Sequence, residues 1–181
     1  MAMPMVAPRY TIADLEQFPD DGNRYELLGG VLLVTPMAEY SHQAVLGRIH
    51  EALVESLRPG GTALILSPGA IQIGNDTQLE PDLLVIPKPM RGVAKWREIR
   101  EWWLAVEVTG PSSRIYDRDF KTGAYLMAGV REVWRVDLRE RTVYVSRPGG
   151  QRDEPHREQL TWSPPGSTAP LSLDLAALFD C

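Results

Sequence analysis

Two stretches decide the fold: Glu80-Pro81-Asp82-Leu83-Leu84-Val85-Ile86 and Leu104-Ala105-Val106-Glu107-Val108. Each is an apolar run of strand length with an acid at its entrance or inside it. A carboxylate in such a strand is costly to bury unless it is paired or holds a cation. Two carboxylates brought together repel, and a hard divalent cation relieves that repulsion. Glu80 and Asp82 are two residues apart, so a regular strand points them to one face. Taken singly, Asp82 and Glu107 read equally well as strand-end acids facing water.

Upstream, Thr11 with Asp14 predicts a helix start, because a hydroxyl and an acid three residues on satisfy free backbone N–H groups. That short helix is expected to run through Phe18 and to break at Pro19-Asp20-Asp21-Gly22-Asn23. Arg24 to Leu28 and Val31 to Thr35 read as a hairpin, since Gly29-Gly30 accepts the positive φ of a tight turn. Ser41 is the expected cap of a long helix to Leu57, on which Val45, Ile49, Ala52, Leu53 and Leu57 recur at helical spacing. Strands follow at Ala63–Leu66 and Ala70–Ile73. Downstream, Pro87 to Glu101 reads as a polar, basic connection, Tyr116 to Met127 as a helix, and Glu132–Leu138 with Thr142–Ser146 as a second hairpin. Residues 1–9 read as loose and 147–181 as a less regular extension, with Leu173 to Phe179 a terminal helix or strand. The order predicts one α/β domain over 1–181 with a mixed sheet and few helices.

The chain has 181 residues, 44% hydrophobic and 24% charged, which suits one globular domain and excludes a wholly disordered chain. The net charge of −5 argues against a general polyanion binder. Its distribution is uneven: residues 1–87 carry four Arg and eleven carboxylates, a net of −7, whereas 88–121 carry eight Lys/Arg and five carboxylates, a net of +3. That basic segment holds Lys88, Arg91, Lys95, Arg97 and Arg100 interleaved with Trp96, Trp102 and Trp103. The arrangement suits a phosphate backbone, with Trp96 stacking. It also suits a solvated loop, with Trp102 and Trp103 as core or dimer anchors. The one cysteine, Cys181, excludes an intramolecular disulfide and a cysteine zinc site. No apolar run reaches the ~18 residues of a membrane helix, and MAMPMVAPRY lacks the pattern of a signal peptide. A cytoplasmic protein without a membrane role is expected.

Motif by motif, much is missing: no phosphate loop ending in Lys-Ser/Thr and no G-x-S-x-G elbow. His50-Glu51 starts a zinc-protease-like run, but Val54 stands where the second histidine belongs. His42, His50 and His156 therefore read as structural or surface groups. Asp117, Lys121 and Tyr125, spaced by four, form one stripe on the expected helix. The stripe is either a surface ion pair or a face turned to Glu107, where a lysine beside paired carboxylates orients a water and offsets charge on a phosphate.

Arg-Tyr-Glu-Leu-Leu-x-Gly at 24–30, Ser-His at 41–42, Pro-Asp at 81–82, Val-Glu-Val at 106–108, Lys121 with Tyr125, and Gly-Val-Arg-Glu-Val-Trp at 129–134 together resemble the Uma2 family of the PD-(D/E)XK nuclease superfamily. The resemblance covers residues 9–147. It implies a restriction-endonuclease-like fold, a mixed central sheet flanked by helices, with a Mg²⁺- (or Mn²⁺-) dependent site that hydrolyses DNA. By the same resemblance Asp82, Glu107 and the Val108 carbonyl would hold the metal, Lys121 would be the catalytic lysine, and Glu26 would complete the metal site. Glu80 is a further candidate. The superfamily lysine two residues after the strand acid is replaced here by Thr109, and Lys121 stands in its place on the next helix. A homodimer is implied as well. Lys88, Arg91, Lys95, Trp96 and Arg97 are the expected DNA contacts. The alternatives are a nuclease-fold binding protein without catalysis and a carboxylate–metal hydrolase acting on something other than nucleic acid.

Overall fold

The computed structural model describes residues 8–88, 95–110, 120–165 and 169–180. Its centre is a six-stranded mixed sheet in the order β10-β9-β8-β7-β6-β3. The strands are β3 (Ala63–Leu66), β6 (Leu83–Pro87), β7 (Leu104–Thr109), β8 (Val133–Asp137), β9 (Thr142–Ser146) and β10 (Glu154–His156). Only β7 and β8 run parallel; the other neighbours are antiparallel. This is the mixed central sheet that the resemblance implies.

Strands β6 and β7 are buried at every position but Pro87, so they read as near-continuous apolar runs. Leu83, Val85, Leu104 and Val106 face one core, shared with Val45, Ile49 and Leu53 of α2 (Tyr40–Leu57). Leu84, Ile86 and Ala105 face a second core, shared with Ala124 and Tyr125 of α3 (Thr122–Ala128). Trp103 belongs to the first core and Trp102 to the second, so both are packing residues.

A four-stranded antiparallel sheet, β2-β1-β5-β4, adjoins the second core. It is built from β1 (Arg24–Leu28), β2 (Val31–Thr35), β4 (Ile71–Ile73) and β5 (Thr77–Leu79). Gly29 and Gly30 turn the β1–β2 hairpin at φ 57° and 78°, as a tight turn demands. Thr77–Leu79 is not legible as a strand, yet β5 bridges β4 to the hairpin through Leu27 and Gln78.

Several expected boundaries shift. The first helix, α1, covers only Ile12–Leu15, with the Asp14 carboxylate accepting from the Thr11 N–H at 2.7 Å. The long helix begins at Tyr40, because the Glu39 carbonyl accepts the first helical bond from Gln43, and Ser41 lies inside it. Of the expected helix 116–127, Asp117 lies outside the described residues. The extension 147–181 is more regular than expected: besides β10 it forms a two-stranded sheet of β11 (Gln159–Trp162) and β12 (Leu171–Asp174), then the one-turn helix α4 (Leu175–Leu178). These strands deliver Leu160, Trp162, Leu171 and Leu173 to the first core. Among the described residues no helix is long and apolar enough to cross a membrane.

Candidate active site

The pairing of Leu83 with Val106, Leu84 with Ala105 and Val85 with Leu104 places Asp82, one step further, opposite Glu107. Directly opposed residues of an antiparallel pair share a face. Asp82 and Glu107 therefore share the face of Leu84 and Ala105, at the end of the sheet where β6 begins and β7 and β8 finish.

Asp82 is 3% exposed. Its Oδ1 accepts from Arg24 Nη1 at 2.9 Å. Its Oδ2 lies 2.9 Å from His42 Nε2 and accepts from the Val108 N–H at 2.9 Å. Burial works against ionisation of Asp82, but the His42 hydrogen bond, the Arg24 charge and the Val108 N–H hold its carboxyl below the usual carboxylate range. Burial likewise opposes the charge on Arg24, yet Asp82, Glu107 and Glu26 hold its guanidinium above its ordinary value.

Lys121, immediately before α3, sends its ammonium between two carboxylates: Nζ lies 2.7 Å from Glu26 Oε2 and 3.4 Å from Glu107 Oε1. One turn on, the Tyr125 hydroxyl donates to the same Oε1 of Glu107. The four-residue spacing of Lys121 and Tyr125 thus converges on one carboxylate oxygen. Glu26 is fully buried, and its other oxygen accepts from the Glu80 N–H at 2.7 Å. Burial, with the Glu26 charge adding, pushes the Glu80 carboxyl above its usual value, while a 2.9 Å hydrogen bond from Gln78 Nε2 acts the other way.

These groups open on a cleft of about 820 Å³ lined by Arg24, His42, Glu80, Asp82, Glu107 and Lys121, among others. Val108 lines it too. Glu26 does not: it sits behind Lys121, with both carboxylate oxygens taken by the ammonium and the Glu80 N–H. Glu26, which the resemblance implies in the metal site, here meets the Lys121 ammonium and the Glu80 N–H. Lys88, Lys95, Trp96 and Arg97 do not line the cleft either. The 3-10 turn Trp96–Glu98 packs on β4, at the opposite edge of its sheet from β2. Arg91 lies outside the described residues.

Arg24 and His42 are the site residues that sequence reasoning missed as such. Arg24 carried a signal, because strand alternation puts it on the face of Glu26. His42 carried only its place in the Ser-His motif of the resemblance, at the first turn of a helix.

The donor set fits a hard divalent cation. Three carboxylates (Glu80, Asp82, Glu107) line the cleft beside two cations (Arg24, Lys121), with Glu26 paired to Lys121 next to it. Among the described residues no group of three or more His, Cys, Asp or Glu side chains is arranged around one metal position. Mg²⁺ asks for less, taking one or two carboxylates and completing its shell with water and phosphate.

The fold has a known counterpart. Among solved structures, the chain is similar to one described as a putative nuclease belonging to DUF820 from Anabaena variabilis ATCC 29413, with a TM-score of 0.68 and 20% identity over 94% of this chain and 97% of that one. At that identity the likeness concerns the fold. No curated protein matches the chain. A family model described as "Uma2: Putative restriction endonuclease" matches residues 12–177, from the first residue of α1 into α4. With the match running through all three sheets and every strand, the chain belongs to the Uma2 family.

Proposed function

We propose that the cleft is a nuclease active site that hydrolyses DNA phosphodiester bonds with Mg²⁺ or Mn²⁺. The observation that carries this reading is the meeting of Lys121 with Glu107 beside Asp82 at one end of the sheet. Asp82, Glu107 and the Val108 carbonyl are the groups that would hold the cation, which supplies Lewis acidity toward a phosphate oxygen when bound. Lys121 provides a fixed positive charge where negative charge builds on the phosphate, and its low exposure makes that charge count for more than it would in water. Glu26 holds Lys121 in place. Lys121 and Tyr125 fix the orientation of Glu107, and Arg24 and His42 fix that of Asp82. A homodimer and a cytoplasmic location belong to the same reading; light scattering tests the first.

A binding protein of nuclease fold is the second reading. In its favour, both oxygens of Asp82 are already engaged by protein donors. Plasmid nicking in Mg²⁺ or Mn²⁺ by wild type, Asp82→Ala and Lys121→Ala separates the two. Loss of nicking in both variants supports the nuclease. Equal nicking by all three points to a contaminant, and binding without nicking by wild type supports the second reading.

A further inference from the structure

Each carboxylate offered above to a divalent cation already has a positive side chain beside it. Lys121 Nζ lies 3.4 Å from Glu107 Oε1, and Arg24 Nη1 lies 2.9 Å from Asp82 Oδ1. Arg24 is not the sole support of Asp82. The other oxygen, Oδ2, is held separately by His42 Nε2 and the Val108 N–H, both at 2.9 Å.

The Arg24 guanidinium is only partly used. Nη1 donates to Asp82 and, at 3.0 Å, to the Glu80 carbonyl. Among the described residues, Nε and Nη2 have no hydrogen-bond partner, and neither is sealed from solvent. The Arg24 side chain lines the cleft and is 27% exposed, against 4% for Lys121. A planar guanidinium moored at one nitrogen, with its other two open, keeps a fork that suits two oxygens of one phosphate.

Placed at one carboxylate, Arg24 and a divalent cation repel each other. Arg24 therefore lowers the affinity of Asp82 for metal while no phosphate is bound. A phosphate gripped by Arg24 brings negative charge to the same place and offsets that repulsion.

Resting on the nuclease reading above, we propose that Arg24 is a phosphate-binding residue of this site. Nη1 stays on Asp82, Nε and Nη2 take a backbone phosphate of the nucleic acid, and the same guanidinium holds off a divalent cation until that phosphate is bound.

One substitution, Arg24→Gln, tests both halves, because it acts in opposite directions on the two ligands. Mn²⁺ binding to the full chain is measured by calorimetry without nucleic acid. Binding of a labelled DNA duplex is measured by fluorescence anisotropy in EDTA over a range of salt. Arg24→Gln is expected to bind Mn²⁺ about tenfold tighter than wild type. It is expected to bind the duplex more weakly, with the slope of log affinity against log salt lowered by about 0.9, as for one lost phosphate contact. Arg24→Lys keeps the charge without the fork, and is expected to restore the wild-type Mn²⁺ affinity and only part of the duplex affinity. A side chain that merely propped Asp82 would weaken Mn²⁺ binding when removed. Mn²⁺ affinity unchanged or reduced in Arg24→Gln therefore overturns the proposal, and so does a wild-type salt slope. Thermal melts check the fold; should Arg24→Gln not fold, Arg24→Lys decides, and duplex affinity equal to wild type overturns the proposal. Plasmid nicking by wild type in Mg²⁺ separates this outcome from the nuclease reading. Nicking alongside an overturning result leaves that reading standing, and a wild type that neither binds Mn²⁺ nor nicks removes both.

Discussion

The Lys121 ammonium lies 2.7 Å from the Glu26 carboxylate, an ion pair between groups 95 residues apart in the chain, both almost fully buried. Breaking a buried pair by deleting one partner strands a charge in low dielectric. Glu26→Ala is therefore expected to cost about 3–5 kcal/mol in urea unfolding. Removing both charges, Glu26→Leu with Lys121→Met, is expected to cost much less than the two single changes together. Additive losses would mean that the pair does not couple.

Tyr125 donates to the Glu107 oxygen that Lys121 also approaches. Tyr125→Phe keeps the ring in the second core and removes only that donor. A loss of about 1.5–3 kcal/mol in stability is expected, as for a hydrogen bond to a charged group, together with a roughly tenfold fall in cleavage rate, since 1.4 kcal/mol of misorientation is worth that factor. An unchanged rate beside the stability loss would make Tyr125 a purely structural partner.

Asp82 and Glu80 bend the stability–pH curve in opposite directions. Asp82 is depressed in the folded state, so the unfolded chain binds its proton more readily. Its contribution is present above the ordinary carboxylate value of about 3.9 and is lost as pH falls through the lower folded value. Glu80 is raised, so the folded chain binds its proton more readily, and stability declines as pH climbs from about 4.3 to the raised value. Thermal midpoints measured against pH are expected to lose that decline in Glu80→Gln and to lose part of the acid limb in Asp82→Asn. A Glu80→Gln curve parallel to wild type would contradict the assignment.

Gly69 sits where a Cβ would fall 2.4 Å from the Cβ of Leu84. Leu84 is fully buried in the second core, two residues from Asp82, and its Cβ cannot swing aside as a side-chain tip can. Gly69→Ala is expected to lose about 1–3 kcal/mol or more through overpacking, and to weaken cleavage by shifting the start of β6. Denaturant midpoints of wild type level would show that the backbone yields freely.

What was legible in the chain was local. The β1–β2 hairpin follows from Gly29-Gly30 between two apolar runs, and α2 from the spacing of Val45, Ile49, Leu53 and Leu57. β5 was not legible, because Thr77-Gln78-Leu79 has no apolar pattern and owes its strand state to partners on both sides. The C-terminal strands were obscured in the same way. β10 contains Pro155, which is tolerated because β10 is the edge strand of its sheet. β11 and β12 pair across a Pro- and Gly-containing connection.

For the site, the sequence by itself determined the chemistry on offer: acids at β6 and β7, and a lysine and a tyrosine one helical turn apart. Side-chain periodicity decides which face a residue takes; it does not decide what stands opposite. Tertiary structure alone seated His42 on Asp82 and put Glu26 behind Lys121 instead of in the cleft. It also laid the turn Trp96–Glu98 of the basic segment against β4, while the turn bearing Arg139 and Arg141 reached the cleft. These outcomes depend on the register of strands and the docking of helices far apart in sequence, where burial of two shared cores outweighs any local preference.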